Sequence, residues 1–561
     1  MSIKEGTHLQ FIVRATVFGS LLAVVGIVLM MVITIGKYLQ GSYELPQDSN
    51  TVRTSTPPMG WNSWNAFHCS PDFNENSIKE NIDRMVADGY LAAGYRYVVL
   101  DDCWQSSRDK SGVIQVDQNR FPSGIKALSE YAHQRGLLFG IYTSAGRETC
   151  EGKPGSYGYE QQDLNKYIDW KVDFIKLDWC GVEYLNTTQV YGKWRKLIDQ
   201  SQKPIVLSVA VAQIYSAFDG QSWLWGDTVG DMWRVATDIQ DDWSEMLRVY
   251  DINSRYAPYQ KVGEWNDADM LEVGNGGMTF TEYRTHFGLW SIMSSPLMLG
   301  TDLRALSPEL KNLVTNPDAI AINQDKLGLQ GEVILERGTI QVISKPLAKR
   351  GSRAVLIVNR GEAAAEFTLR PRRLRLLPLI YFKEIWPNNR DRVIIGQYQV
   401  KIPPHDSVFA TVQGIDSHSE LRALLPKLDN QVRSGNLTRQ TAFDVYGIFE
   451  YDDEFQRGES IGIRNNSSIR YHLNNQCQRL QASFEYVRSE RSRNQSESLT
   501  AAVYLDGDKV WEYQATPGSP AAQLNLSLKK TRILDLVTHT STTENVILYG
   551  RWKLPIIECQ D

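Results

Sequence analysis

Hydrophobic and polar positions change their pattern several times along the 561-residue chain. Residues 15–36 carry no charged side chain, and the residues from there to position 57 are rich in Gln, Asp, Ser, Thr and Pro. At about 1.5 Å per residue, a helix of that length crosses the roughly 30 Å hydrocarbon core of a membrane. The pattern therefore predicts an N-terminal transmembrane helix and a linker over residues 1–57.

Residues 58–330 alternate short apolar runs with longer amphipathic stretches, for example Ser77–Ala93 and Gly124–Gly136. This alternation is typical of a parallel sheet whose two faces are covered by helices. Eight such units over about 250 residues favour an α/β fold of the (β/α)8 TIM-barrel type. The alternative, an open doubly wound sheet, lacks a glycine-rich nucleotide turn after its first strand. The predicted strands are Met59–Trp64, Tyr95–Leu100, Leu137–Tyr142, Val172–Leu177, Pro204–Val211, Met232–Ala236, Lys261–Trp265 and Pro296–Gly300.

Beyond residue 330 the runs become shorter and are separated by turn residues, which predicts β structure. We expect a small antiparallel β domain over residues 331–415, a linker over 416–435, and a β-sandwich over 436–561. The hairpin signal is strongest at Asp506-Gly507, which separates the runs Ala501–Leu505 and Lys509–Tyr513. The antiparallel domain is predicted from Val333–Leu335, Ile340–Ile343, Ala354–Val358, Val393–Ile395, Ile402–His405 and Val408–Val412.

Charge and composition exclude several classes of function. The net charge is −5 and no long basic run occurs, so nucleic acid is not an expected partner. None of the six cysteines forms a Cys-x-x-Cys pair, and none of the eight histidines lies in a metal-ligand pair. The chain also lacks a Gly-x-Ser-x-Gly elbow and a phosphate loop. We therefore expect neither a metal nor a cofactor.

The flanks of the apolar segment predict the topology. Lys4 and Arg14 precede it, so the N-terminus is expected to stay in the cytoplasm and the rest to be exported. The alternative is a cleaved signal peptide and a secreted protein, but no small-x-small cleavage site follows the segment. An even number of cysteines allows complete pairing in an oxidising compartment.

Charged and polar side chains follow most of the predicted barrel strands, at the carboxyl ends where barrel enzymes carry their active sites. In the fourth strand, Lys176 and Asp178 lie on the same face because strand side chains alternate. Alone, this pair is equally consistent with a structural ion pair. The other strand ends favour catalysis, because glycoside hydrolysis requires two carboxyl groups at one site. These strand ends carry Asp101-Asp102, Tyr142, Asp178, Asp238 and Asn266–Asp269.

Several ordered motifs resemble glycoside hydrolase family 27, which contains α-galactosidases and α-N-acetylgalactosaminidases. The resemblance runs from about residue 57 to 330 and continues more weakly to residue 412. The motifs are Met59-Gly-Trp-Asn-Ser-Trp64, Leu100-Asp-Asp-Cys-Trp104, Lys176-Leu-Asp-Trp-Cys180, Trp265-Asn-Asp-Ala-Asp-Met270, Ser294–Leu303 and Ala321–Asp325.

The resemblance implies a role for each matching residue. Asp178 matches the nucleophile, and Asp238 matches the acid/base. Asp101 and Asp102 match the pair that binds the sugar 4- and 6-hydroxyls. The remaining matches are two hydroxyl donors, two aromatic walls and two residues that complete the pocket, namely Lys176 and Arg234, Trp61 and Tyr142, and Asp269 and Met270. For Trp61, a core position at the end of the barrel is the alternative.

The resemblance also implies two disulfides, Cys69–Cys103 and Cys150–Cys180, and leaves Cys477 and Cys559 unassigned. One position departs from the family. Ala210 stands where family α-galactosidases carry a Glu that contacts the sugar 2-hydroxyl, whereas N-acetyl-specific relatives also have a small residue there. The sequence therefore does not decide which substituent the enzyme accepts at the sugar 2-position.

Residues 436–561 weakly resemble a carbohydrate-binding module of other glycosidases, and a spacer that only packs on the barrel is the alternative. The resemblance as a whole predicts a retaining exo-enzyme that removes terminal α-D-galactosyl residues from oligosaccharides or glycoconjugates. One alternative is an α-N-acetylgalactosaminidase or another α-glycosidase of the family. A second is an inactive, membrane-tethered sugar-binding protein, against which the intact Asp178 and Asp238 argue.

Overall fold

A computed structural model describes residues 54–182, 186–211 and 222–416, together with segments between 435 and 559. The predicted transmembrane helix lies outside the described residues, as do residues 417–434 of the predicted linker over 416–435. Among the helices that are described, none combines the length and the apolar character that crossing a membrane requires.

The first part of the chain forms a TIM-barrel-like sheet of eight parallel strands. From the first strand to the seventh, each pairs with the next in chain order, and the first also pairs with the eighth. We label them β1 to β8: Met59–Asn62, Tyr97–Leu100, Leu138–Ser144, Phe174–Asp178, Val206–Ala210, Met232–Arg234, Trp265–Asp267 and Leu297–Leu299.

The two edge strands of this sheet, β7 and β8, are joined just beyond β7. Leu271 donates its backbone N–H to the carbonyl of Met298 at 2.7 Å and accepts the N–H of Gly300 at 3.0 Å. Leu271 and Leu299 form the corresponding parallel bridge. These bonds satisfy the strand edges, which would otherwise expose unpaired backbone groups.

The prediction for the seventh strand was wrong. The segment predicted as Lys261–Trp265 contributes only its last residue to β7, which begins at Trp265. Lys261 and Glu264 instead form a tight turn, in which their backbone groups hydrogen-bond to each other at 2.9 and 3.1 Å. Val262 is the one apolar residue before Trp265 in this stretch, which was too little to define a strand.

Helices cover the outside of the barrel, and several begin at a side-chain cap. The helix Glu75–Ala87 is capped by Asn74, whose side chain accepts two backbone N–H bonds. The helix Phe280–Ile292 begins with a capping box between Thr279 and Glu282. The other α-helices are Trp64–Phe67, Tyr90–Ala93, Gly124–His133, Glu160–Asp169, Thr187–Ser201, Trp243–Ser254, Pro308–Val314 and Pro317–Asn323.

The next part of the chain forms a six-stranded antiparallel sheet and a two-stranded one. The longest strand, Leu376–Trp386, was not predicted, because Pro378 and the preceding arginines interrupt the apolar pattern. Residues from one face of the larger sheet, among them Leu356 and Phe409, join the hydrophobic core of the barrel. The strands are Glu332–Arg337, Ile340–Pro346, Ser352–Asn359, Ala365–Leu369, Leu376–Trp386, Asp391–Ile395, Tyr398–Ile402 and Ser407–Asp416.

The C-terminal part contains two further antiparallel sheets, whose buried residues form one core around Phe484, Val503 and Trp552. The predicted hairpin is confirmed, since Leu499–Leu505 pairs with Asp508–Ala515. The other strands are Gly435–Asn436, Phe443–Asp444, Gly447–Ile448, Ser460–Arg464, Ser467–His472, Cys477–Val487, Ala522–Ser527, Ile533–His539 and Tyr549–Cys559.

Candidate active site

The carboxyl ends of the barrel strands carry the predicted site residues. Lys176 and Asp178 lie on β4, Arg234 ends β6, and Asp101 directly follows β2. Tyr142 on β3 is paired in register with Lys176. Since parallel strands end at one rim, the barrel brings these side chains together.

Asp101 is the partner of Lys176. The Lys176 ammonium donates to Oδ2 of Asp101 at 2.7 Å, and the side-chain amide of Asn62 donates to the same oxygen at 2.7 Å. Burial opposes the charge on Lys176, but the carboxylates of Asp101, Asp178 and Asp269 outweigh it and raise the pKa of the ammonium. Lys176 therefore remains a cation at the centre of the acidic cluster.

Asp102 is held by backbone groups. Its Oδ1 accepts the N–H of Cys103 at 2.7 Å, and its Oδ2 accepts the N–H of Glu151 at 3.1 Å. Burial raises the pKa of Asp102 to about 6, and the neighbouring charge of Asp101 adds to this increase. Asp101 and Asp102 therefore present two adjacent, differently bonded carboxyl groups at the mouth.

Asp178 has hydrogen-bond donors on both carboxylate oxygens. The Tyr142 hydroxyl donates to Oδ2 at 3.0 Å, and the backbone N–H of Trp179 donates to Oδ1 at 2.8 Å. Burial raises the pKa of Asp178, although Lys176 and the Trp179 N–H oppose the increase. The two bonds fix the orientation of this carboxylate at the end of β4.

Both disulfides implied by the resemblance are present, Cys69–Cys103 and Cys150–Cys180. The second borders the site, because Sγ of Cys150 lies 3.4 Å from Oδ2 of Asp178. It ties the loop after β3 to the residue two positions beyond Asp178. This covalent link limits movement of the loop that forms one wall of the mouth.

Asp238 lies in the loop after β6 and is bound by Arg234. The guanidinium donates from Nη2 to Oδ1 of Asp238 at 3.0 Å, while the Asp238 side chain remains 81% exposed. The adjacent Arg234 guanidinium lowers the pKa of Asp238.

Asp269 contacts the same guanidinium nitrogen. Its Oδ2 forms an ion pair with Nη2 of Arg234 at 3.0 Å and accepts the backbone N–H of Ile239 at 2.9 Å. Met270 follows it and lines a cavity of about 30 Å³ inside the barrel mouth. Trp61 is completely buried, and its indole N–H donates to the carbonyl of Thr301 at 2.7 Å. An aromatic wall at Trp61 thus stays a prediction.

Known proteins with similar sequences belong to the family that the motifs of the site resemble. Residues 56–325 match the family described as Alpha galactosidase A, and residues 424–555 match the NPCBM/NEW2 domain. α-Galactosidase A of Cellvibrio japonicus is 43% identical over 323 residues, which is 56% of this chain and 78% of that protein. This chain belongs to glycoside hydrolase family 27.

Two further family 27 comparisons cover most of each relative. α-Galactosidase 2 of Arabidopsis thaliana is 40% identical over 354 residues, which is 62% of this chain and 87% of that protein. The crystal structure of α-galactosidase I from Mortierella vinacea superposes with a TM-score of 0.61 at 27% identity, over 66% of this chain and 100% of that chain. The similarity thus covers the barrel and extends beyond it.

The departure from the family pattern lies beside the cavity. Ala210 ends β5, is buried, and pairs in register with Asp178. Together with Ser208 and Arg234 it lines the 30 Å³ cavity, which has room for about one water molecule.

Sequence reasoning missed two site residues. Asn62, which binds Asp101, directly follows Trp61 in the first motif, and its position at the end of β1 was a usable signal. Asp267 was quoted within a motif but given no role. It is buried, accepts the N–H of Asp269 at 2.8 Å, and has its pKa raised by burial to about 6.

Proposed function

We propose that this family 27 protein is a retaining exo-glycosidase that removes terminal α-D-galactosyl residues from oligosaccharides or glycoconjugates. The observation that carries the proposal is the pair of carboxyl groups at one barrel mouth. Asp178 ends β4 and is held by Tyr142, whereas Asp238 follows β6 and is held by Arg234. The names of the similar α-galactosidases support the same activity.

The acidic pair after β2 supports galactose as the sugar. Asp101 and Asp102 place two carboxyl groups side by side, and Lys176 adds a charged donor at 2.7 Å from Asp101. Charge-assisted hydrogen bonds from such groups suit neighbouring sugar hydroxyls. We expect them to bind a 6-hydroxyl and an axial 4-hydroxyl, and the axial 4-hydroxyl is the group that distinguishes galactose from glucose.

The reaction proceeds by two displacements. The Asp178 carboxylate attacks the anomeric carbon, the glycosidic C–O bond breaks, and Asp238 gives its proton to the leaving oxygen. Asp238, now a carboxylate, removes a proton from water, whose oxygen attacks the anomeric carbon and releases Asp178. No redox partner or cofactor is needed to balance either step.

A panel of aryl α-glycosides tests the proposal. We expect turnover of the α-galactoside and little turnover of the α-glucoside, with Asp178→Asn as the matched blank that retains the volume of the side chain. If the folded protein cleaved none of the panel above that blank, the alternative of an inactive sugar-binding protein would replace our proposal.

The small residue at position 210 favours a second activity. Because Ala210 offers no polar group to a 2-hydroxyl, a 2-acetamido substituent is less strongly rejected than in relatives that carry a Glu. We expect measurable cleavage of an aryl α-N-acetylgalactosaminide beside faster cleavage of the α-galactoside. Faster turnover of the acetamido substrate would instead make that activity the main one.

We also propose that residues 15–36 anchor the enzyme in a membrane with the barrel outside the cytoplasm. The uncharged span and the preceding Lys4 and Arg14 support this topology. N-terminal sequencing of the mature protein is the test. A first residue beyond position 36 would replace the anchor with a cleaved signal peptide.

The C-terminal module is proposed to bind carbohydrate, because residues 424–555 match the NPCBM/NEW2 domain. The full-length Asp178→Asn variant, in which the barrel cannot turn over its substrate, is suited to a glycan-binding assay. Binding that persists when the barrel pocket is saturated with galactose supports the proposal. Complete competition by galactose would assign all binding to the barrel.

A further inference from the structure

Asp269, which the family resemblance implies is a residue of the sugar pocket, has its carboxylate bound by other groups of the protein. Oδ2 of Asp269 accepts the Ile239 N–H at 2.9 Å and forms an ion pair with Nη2 of Arg234 at 3.0 Å. The segment between these two partners, residues 234–239, carries Asp238. Asp269 therefore binds both ends of the segment that bears the predicted acid/base.

Asp269 itself is held in an unusual backbone conformation. Its φ is 72°, in the left-handed region that residues other than glycine seldom adopt. Oδ1 of Asp267 accepts its N–H at 2.8 Å, and the indole of Trp290 donates to its carbonyl at 2.9 Å. Such strained residues persist where the surroundings fix them, and they are frequent at functional sites.

The Asp238 side chain itself has few contacts within this loop. The Asp238 side chain is 81% exposed, and its described hydrogen-bond partner is the Arg234 guanidinium, whose own side chain is 5% exposed. An exposed carboxyl group on a loop samples several rotamers unless its neighbours hold it. The position of Asp238 thus depends on Arg234 and on the backbone at Ile239, and Asp269 binds both.

We infer that Asp269 is a positioning residue for the acid/base Asp238, and that Asp267 supports it by holding the Asp269 backbone. The inference rests on the proposed function and deepens it. Asp269 orients Asp238 towards the leaving oxygen through Arg234 and Ile239, instead of serving chiefly as a ligand of a sugar hydroxyl.

The two roles predict different kinetics. If Asp269 binds a sugar hydroxyl, its loss lowers kcat/KM by the same factor for every substrate that carries that sugar. If Asp269 positions the acid, its loss lowers kcat/KM most for substrates with poor leaving groups, because a good leaving group needs little protonation. The dependence of kcat/KM on the leaving group therefore separates positioning from sugar binding.

The experiment compares aryl α-galactosides of graded leaving-group pKa with an alkyl α-galactoside. For Asp269→Asn we expect a fall in kcat/KM of under about tenfold with a dinitrophenyl leaving group. With the alkyl substrate we expect a fall of about 10²-fold or more, within the range that general acid catalysis contributes. Asp238→Ala should show the same pattern more strongly, and Asp267→Asn more weakly.

Asp102→Asn is the matched control, since it also changes a buried aspartate of the pocket that accepts backbone N–H bonds. It should lower kcat/KM by a similar factor for every leaving group. The same result for Asp269→Asn would overturn the inference and assign Asp269 to sugar binding. Failure of the unaltered enzyme to cleave any galactoside would instead overturn the proposed function.

Azide gives a second readout that does not depend on folding yield. When the base is impaired, azide attacks the anomeric carbon of the glycosyl ester and the ester C–O bond breaks, so no proton transfer is needed. We expect azide to raise kcat of Asp269→Asn on the dinitrophenyl substrate and to yield an α-galactosyl azide. Absence of that rescue, with Asp238→Ala rescued in parallel, would contradict the inference.

Discussion

Arg234 donates to Asp238 across 3.0 Å and lowers the pKa of that carboxyl group in the unliganded protein. An acid catalyst must hold its proton when the substrate arrives, and kcat/KM reports the pKa values of the free enzyme. A lowered pKa of Asp238 therefore moves the alkaline limb of the kcat/KM profile to lower pH. Because the pKa of Asp178 is raised above the ordinary aspartate value and that of Asp238 is lowered below it, the acid titrates below the nucleophile in the free enzyme, and both limbs belong to the interacting pair.

Arg234→Gln tests this relationship. Removal of the cation should raise the pKa of Asp238, so the alkaline limb of kcat/KM should move to higher pH. The maximum should fall by about 10- to 100-fold, because a hydrogen bond from a charged donor is lost. Arg248→Gln is the control, since Arg248 donates to the Thr237 hydroxyl beside Asp238 at 2.8 Å. An alkaline limb that stayed fixed in Arg234→Gln would refute the assignment.

Retention of configuration is the second prediction. A nucleophile must reach the anomeric carbon, so we expect the carboxyl groups of Asp178 and Asp238 to lie about 5–5.5 Å apart in the complex, whereas inversion needs about 6.5–9.5 Å. Asp178→Asn should lose both chemical steps. Proton NMR of the first sugar released decides the question: a β-anomer from an α-galactoside would remove Asp178 from the role of nucleophile.

The sequence was sufficient to predict which strand ends carry the chemistry. Residues such as Asp101 and Asp178 follow apolar strands, and parallel strands bring their carboxyl ends to one rim. Both disulfides near the mouth were also implied, because Cys103 and Cys180 lie within motifs of the family.

The pairing of charges at the mouth was not predictable. Lys176 and Asp178 share a strand face, yet the ammonium bonds to Asp101 on the neighbouring strand. Arg234 likewise turns to Asp238 and Asp269, which come from a loop and from another strand end. Such choices depend on side-chain directions across the barrel. Sequence spacing within one strand does not contain that information.

The third prediction concerns selectivity for the substituent at the sugar 2-position. Ala210→Glu should place a carboxylate beside the cavity that Ala210 now lines, so the 2-acetamido substrate should lose at least about tenfold in kcat/KM relative to the α-galactoside. Ala210→Ser keeps a small residue and serves as the control. An equal fall in kcat/KM for both substrates in Ala210→Glu would mean that another residue contacts the 2-substituent.

A buried carboxyl group behind the pocket leads to the fourth prediction. Glu272 accepts from the amides of Asn65 and Asn275, and burial raises its pKa to about 8, with added repulsion from Asp269 and Asp241. A folded-state pKa above the unfolded value contributes stability below about pH 4.5. That stability is lost as the pH rises through about 8.

Glu272→Gln carries no charge at any pH, so it should escape this loss. Between pH 5 and pH 8, the melting temperature of the unaltered protein should fall relative to that of the variant by about 6–12 °C, as expected for roughly 3 kcal/mol in a domain of this size. Glu130→Gln, at a solvent-accessible position of the helix Gly124–His133, is the control and should not change the slope. Parallel melting curves for the unaltered protein and Glu272→Gln would contradict the prediction.

The last prediction concerns the two cysteines that the family motifs leave unassigned. Cys477 and Cys559 are opposite each other in the antiparallel register of the strands Cys477–Val487 and Tyr549–Cys559. Opposed Cα atoms of antiparallel strands lie about 4.5–5.5 Å apart, within the 4.4–6.8 Å that a disulfide spans. We therefore expect a third disulfide, which by closing a loop of about 80 residues should stabilise the module by about 4 kcal/mol in the chain-entropy description. Peptide mapping without reductant should recover the two cysteines in one linked fragment, and Cys477→Ser should lower the melting temperature of the module. Free thiols at both positions, in a sample whose other four cysteines are oxidised, would show that opposed register alone does not form the bond.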